Sequence, residues 1–157
     1  MTPAALASLL ALGLAGLVAS WLDWRHRRLP NWLSAMLAVL GLAAAFRYGG
    51  IDLLGSHLIH AAIALCIGII LHAIGWIGGG DGKYYAAAAC WFALGKGMVL
   101  LFCVAASGLL LYLSWFGLRR LRGLEIAIGP DIADKDKLPY GLAIAAGSFA
   151  AAVLTLQ

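Results

Sequence analysis

From Pro3 to the C-terminus the chain runs through one apolar stretch after another, broken only by short polar segments. That succession limits the fold more than any other feature. An apolar window of about 20 residues has the length of a helix that crosses the hydrocarbon core of a bilayer. Such windows fall at about 3–22, 32–46, 58–77, 80–95, 97–118 and 139–156. The expectation is an all-α polytopic membrane protein with about six transmembrane helices, residues 1–157 forming a single domain. Composition agrees, because 64% hydrophobic and 11% charged residues leave too little polar surface to cover a soluble domain of this length. The second and fourth windows are short for a bilayer. The fourth and fifth are joined only by Gly95, Lys96 and Gly97, which predicts a tight helical hairpin. The first run has its arginines after the apolar core and none before it, the reverse of a cleaved signal peptide, so a retained span is expected.

The basic residues give an orientation. With the N-terminus outside, Arg25, Arg27, Arg28, Lys83, Arg119, Arg120, Arg122, Lys135 and Lys137 share one side of the membrane, and Arg47 and Lys96 the other. By the positive-inside bias the nine-residue side is cytoplasmic, and both termini are outside. The expected location is a bacterial inner (cytoplasmic) membrane. The arginines sit at the ends of apolar runs and not on a polar domain, so nucleic acid is not an expected partner, whereas membrane lipid is. Arg25, Arg27 and Arg28 fit a role in fixing orientation, and tryptophans near span ends, such as Trp21, Trp24 and Trp32, fit interfacial anchors. Cys66, Cys90 and Cys103 lie inside apolar runs without a CxxC spacing and read as small buried hydrophobes.

Seven acidic residues remain to be explained. Asp52 lies in an outer loop, and Glu125, Asp131, Asp134 and Asp136 lie in the long cytoplasmic loop. Asp23 ends the first span and Asp81 starts the fourth, on the same side and at similar depth. A carboxylate there is costly, by up to about 3 kcal/mol at helix-centre depth on insertion scales, so it needs a function. Two carboxylates facing one cleft would share a proton near neutral pH. Such a pair can hydrolyse a peptide bond, the ionised member taking a proton from water while the protonated member polarises the carbonyl. Gly78, Gly79 and Gly80 before Asp81 would let an extended substrate pass close by and let the chain turn sharply. The positive helix start favours ionised Asp81, which points to Asp81 as base and Asp23 as acid.

Each feature alone has a plainer reading. Asp23 could pair with Arg25 or Arg27, Asp81 could cap a helix, and the glycines could serve helix packing. A phosphate loop is excluded, since Ile77 stands where the first glycine is required and Tyr84 where Ser or Thr is required. Lys83 could hold the charge of Asp81, bind a substrate carbonyl, or simply sit at the interface. His57 and His60 share a helix face and read as outer-interface packing, His72 as a hydrogen-bonded interior residue. No metal site and no cofactor is expected. Asn31 reads as a cap of the second span, and Pro139 as a first-turn proline of the sixth.

Together "DWRHRRLPNWL" at 23–33, "GGGDGKYYAA" at 78–87 and "LPYGLAIAAG" at 138–147 resemble the type IV prepilin peptidases, and within them the small branch serving tight-adherence (Flp-type) pili. These are GxGD membrane aspartic proteases. The first stretch is similar to the family's D-x-R-x-R-x-P-N pattern at Asp23, Arg25, Arg27 or Arg28, Pro30 and Asn31. The second carries GxGD at Gly78, Gly79, Gly80 and Asp81, followed by Lys83, and the third matches a proline–aromatic–glycine element at Pro139, Tyr140 and Gly141. The resemblance implies catalytic Asp23 and Asp81 and cleavage of a short basic leader from prepilins and pseudopilins at the cytoplasmic face, after a glycine and just before the pilin's hydrophobic helix. Larger members carry paired CxxC motifs in an N-terminal domain and also N-methylate the product. No CxxC occurs here, which implies a peptidase alone. The competing class is a membrane carrier or pilus-assembly scaffold that uses Asp23 and Asp81 as proton relays. Which prepilin is cut, and the oligomeric state, leave no mark in the sequence.

Overall fold

Each apolar window contains helix, but the helix ends are set by tertiary contacts. The computed structural model describes residues 3–26, 29–123 and 138–155. Arg27, Arg28 and the acidic and basic residues of the 124–137 segment lie outside the described residues, so the expectations that fall on them are not addressed. The described chain forms α1 (Pro3–His26), α2 (Asn31–Ala73), α3 (Gly79–Ala89), a 3-10 turn (Leu94–Lys96), α4 (Gly97–Leu121) and α5 (Tyr140–Thr155). No strand occurs among the described residues. Three segments, Ala5–His26, Asn31–Ala73 and Leu94–Leu121, are long and apolar enough to cross a membrane.

The second and third expected spans turn out to be two arms of one bent helix. Gly50 interrupts α2 with φ 63° and ψ −151°, a left-handed conformation open to glycine and strained for other residues. The arms 31–49 and 51–73 pack on α3 in opposite senses. Along the first arm Asn31 meets Lys83 and Leu37 meets Trp91, so this arm runs parallel to α3. Along the second, Gly68 faces Gly82 while His57 bonds the carbonyl of Cys90, so that arm is antiparallel. The bend at Gly50 therefore reverses the chain. Glycines permit the close approach at Gly68 and Gly82, where a Cβ on either would lie about 3.2–3.3 Å from the other's backbone.

Helix α3 is shorter than its expected span of 80–95. Its alanine run, Ala86 to Ala89, favours helix, yet the helix stops at Ala89 without Gly or Pro. The reason lies on α2. His57 Nδ1 donates to the Cys90 carbonyl at 2.8 Å, and His60 Nδ1 to the Phe92 carbonyl at 2.9 Å. The Leu94 N–H donates to Ser56 Oγ at 3.0 Å, and Trp91 Nε1 donates to the Leu37 carbonyl at 2.9 Å. Cys90, Trp91 and Phe92 are all buried, so backbone groups freed by the helix end need donors and acceptors from within the protein. His57 and His60 are accordingly buried hydrogen-bonding residues and not outer-interface packing, and the expected tight hairpin becomes this pinned turn plus the 3-10 segment.

On the other side, α5 lies between α1 and α4. Small residues let these helices approach closely: a Cβ on Gly16 would meet Ala145, and one on Gly147 would overlap the Val104 backbone. Helix α4 ends on Gly123, whose φ of 65° and N–H to the Arg120 carbonyl give a left-handed cap, with Arg119 and Arg120 in the last turn where the helix dipole favours cations. Edge-to-face packing of Trp24 on Trp115, centroids 5.9 Å apart, joins the end of α1 to the end of α4.

Candidate active site

Asp23 and Asp81 reach the same end of the bundle by different routes. Asp23 lies one turn before the end of α1, and its side chain is buried at 7% exposure. What holds it is the start of α5: the Gly141 N–H donates to Asp23 Oδ2 at 2.8 Å. That N–H belongs to the first turn of α5, where helix amides have no internal partner. The approach demands glycine, because a Cβ at position 141 would lie 2.8 Å from Oδ2 and 3.1 Å from Cγ of Asp23. Pro139 precedes it in a fully buried position, while Tyr140 projects outward.

Asp81 sits in the first turn of α3, half-buried. Gly78 occupies the N-cap position with extended backbone, φ −67° and ψ 140°, and its carbonyl accepts the N–H groups of Asp81 and Gly82 at 3.1 and 3.2 Å. The Asp81 carboxylate curls back over this cap, so that a Cβ at Gly78 would stand 2.6 Å from Oδ2. An acidic residue in this place also suits the positive end of the helix. Burial acts most on the Asp81 carboxyl, and the charge of Asp23 reaches it as a smaller effect.

The glycine run also serves local packing. The sharp turn falls earlier, at Gly75 with φ 78°. Gly78 makes room for the carboxylate of Asp81, and Gly79 for the ring of His72. At Gly80 an added Cβ would make ordinary contact with Leu29 at 3.6 Å. Lys83 does not hold Asp81; its Nζ donates to Asn31 Oδ1 at 3.2 Å. Asn31 therefore caps no helix, since Pro30 takes the N-cap position of α2 and makes no side-chain cap bond. Arg25 is exposed in the last turn of α1. His72 is exposed and not interior, bonded through Nδ1 to the Ile77 carbonyl at 3.1 Å.

The three sequence motifs are thus stitched together: the first to the third by Asp23 and Gly141, the first to the second by Asn31 and Lys83. Beside them an apolar groove of about 540 Å³ opens between α2, α3, α4 and α5. Asp81, Tyr85 and Tyr140 line it, as do Leu94 and Gly97 toward the far end of α3. Asp23 does not line it. A second groove of about 390 Å³ between α1 and α5 holds no carboxylate. No group of three or more His, Cys, Asp or Glu able to hold a metal is found among the described residues.

A family model described as the type IV leader peptidase family matches residues 10–113. The chain belongs to the type IV leader peptidase family. The match runs from within α1 to within α4 and takes in both Asp23 and Asp81. The Pro139–Gly141 element lies beyond it, and its link to Asp23 rests on the Gly141 hydrogen bond. Searches of curated proteins and of solved structures gave no match. Family and three long apolar helices together make the chain a membrane peptidase.

Sequence reasoning named Gly141 without its role as a donor and did not find the contacts of His57, His60 and His72. Gly141 as a donor to Asp23 has no local signal beyond its motif. The clamp by His57 and His60 had one: two histidines a turn apart in an apolar helix need hydrogen-bond partners at that depth. His72 offered only its proximity to the glycine run.

Proposed function

We propose that the chain is an aspartic endopeptidase of the bacterial inner membrane that removes a short basic leader from prepilin-like substrates of the Flp type. The supporting observation is that Asp23 and Asp81, from separate helices, lie at the same end of the bundle, where Asp81 lines an apolar groove. In this reading the arms of α2 and the short α3 join α1, α4 and α5 as six membrane segments. The site faces the cytoplasm with Arg25, Lys83, Arg119, Arg120 and Arg122 around it, and both termini are outside.

The chemistry follows from the pair. One carboxylate, ionised, takes a proton from a water molecule whose oxygen attacks the scissile carbonyl carbon. The other, protonated, gives its proton to the carbonyl oxygen. The neutral gem-diol intermediate collapses as the newly protonated carboxyl gives its proton to the amide nitrogen, the C–N bond breaks, and the other carboxylate takes a proton from a diol hydroxyl, which restores the starting state of the pair. The Gly141 N–H holds Asp23 in place during these transfers, and the first turn of α3 holds Asp81. Lys83 and Asn31 keep α3 in register with the start of α2. The leader's basic charge stays in water while the apolar segment after the cut lies along the groove past Tyr85 and Tyr140. A glycine at the cut lowers the cost of extending the backbone for attack.

The test is direct incubation. The purified chain in detergent is mixed with a peptide carrying a basic leader ended by glycine and followed by an apolar stretch, and the products are weighed by mass spectrometry. Cleavage at the glycine is expected. An intact peptide after prolonged incubation, together with proton movement across liposomes holding the chain, would contradict the proposal and support a proton relay.

A further inference from the structure

The last turn of α2 carries an exposed histidine whose two ring edges both engage the path to Asp81. Nδ1 of His72 lies 3.1 Å from the Ile77 carbonyl oxygen. A carbonyl can only accept, so Nδ1 donates. The opposite edge bears on Gly79, where a Cβ would stand 3.2 Å from Nε2 and 3.3 Å from Cε1. All three of the nearest atoms to that position belong to His72. One ring therefore bonds the chain at Ile77 and lies beside it at Gly79, on either side of Gly78, the residue over which the Asp81 carboxylate curls.

Backbone-to-backbone hydrogen bonds of the turn stop short of Ile77. Backbone bonds from the end of α2 reach Ile74, Gly75 and Trp76, whose N–H groups donate to the carbonyls of Ile70, His72 and Leu71. The next backbone bonds are those of Asp81 and Gly82 to the Gly78 carbonyl, already inside α3. Between the two sets, His72 spans the gap. We propose that His72 is a positioning residue: by holding Ile77 and bearing on Gly79 it fixes Gly78, and through Gly78 the direction of the Asp81 carboxylate. It acts on the reaction through the backbone and not on the substrate. The inference rests on the peptidase reading above for its kinetic consequence, though not for the clamp itself.

Four variants test it: His72→Ala, His72→Asn, Gly79→Ala and the double variant His72→Ala/Gly79→Ala. A small displacement of a catalytic group is enough to cost rate, so His72→Ala should lower kcat on the leader peptide about 10- to 100-fold with KM within about twofold. Thermal unfolding should be unchanged. Asn carries an N–H near the place of Nδ1 and should recover most of the rate. Gly79→Ala should lower kcat by pressing on the ring, and the double variant should be no slower than His72→Ala, since the added methyl then meets no ring. Hydrogen exchange gives a readout independent of activity, because the Asp81 and Gly82 amides both bond to Gly78. Their exchange should quicken in His72→Ala and return in His72→Asn. A wild-type kcat in His72→Ala, additive losses in the double variant, or unchanged exchange at those amides would overturn the proposal. A wild-type chain that cuts no leader would fail the peptidase reading instead, and the exchange result alone would then decide the clamp.

Discussion

Gly141 carries the clearest residue-level consequence. Its N–H is the donor to Asp23, and the space a side chain would fill is taken by the carboxylate itself. Gly141→Ala pushes a methyl group to within 2.8 Å of Oδ2, so either Asp23 or the start of α5 must move. Cleavage is expected to fall by about 100-fold or more, as misplacement of a reacting group does. Measuring the rate on the leader peptide checks this, with thermal unfolding of the same sample as control. Near-native turnover would mean that Asp23 tolerates the displacement and is not held for chemistry. Asp23 and Asp81 stood out in the sequence because acids are costly near lipid, and that argument needed no structure. The function of Gly141 was invisible by the same logic, because a glycine among apolar residues costs nothing and signals nothing until its neighbour is known.

Among the elements, α3 shows where local reading stops. Its start was legible in the glycines and Asp81, but its end was not, since no breaker follows Ala89 and the stop comes from donors 32 and 33 residues upstream. The same holds for α2, where the gap between the expected spans at 47–57 promised a loop and only the left-handed Gly50 was needed to reverse the chain. Apolar periodicity locates helices, whereas their ends depend on which distant side chain supplies the missing hydrogen bond. If the histidines do supply it, His57→Ala leaves the buried Cys90 carbonyl without its donor and should destabilise the protein by about 1–3 kcal/mol. Denaturation in mild detergent measures this, and His57→Asn should recover part of the loss. An unchanged stability would show that the turn at 90–93 holds without the clamp.

At the scale of the whole molecule, the bundle gathers six helix ends on one side, and Arg25, Lys83, Arg119, Arg120 and Arg122 lie with them. A pair of carboxylates sharing one proton works only over a window of pH. Activity should therefore rise as the base ionises, fall as the acid loses its proton, and follow apparent values that belong to the pair. Water activated by carboxylates needs no Lewis acid, so cleavage should survive exhaustive chelation; a rate lost to chelator and restored by added zinc would contradict the scheme. The most direct test replaces each aspartate by its isosteric amide. Single-turnover cleavage of the leader peptide is measured for wild type, Asp23→Asn, Asp81→Asn and the double variant, all inserted in the membrane at equal level. Two groups that act as a unit predict losses of about 1,000-fold or more in each single variant and little further loss in the double. Turnover within about tenfold of wild type in either single variant, or losses that simply multiply, would show that the two carboxylates do not act on one water.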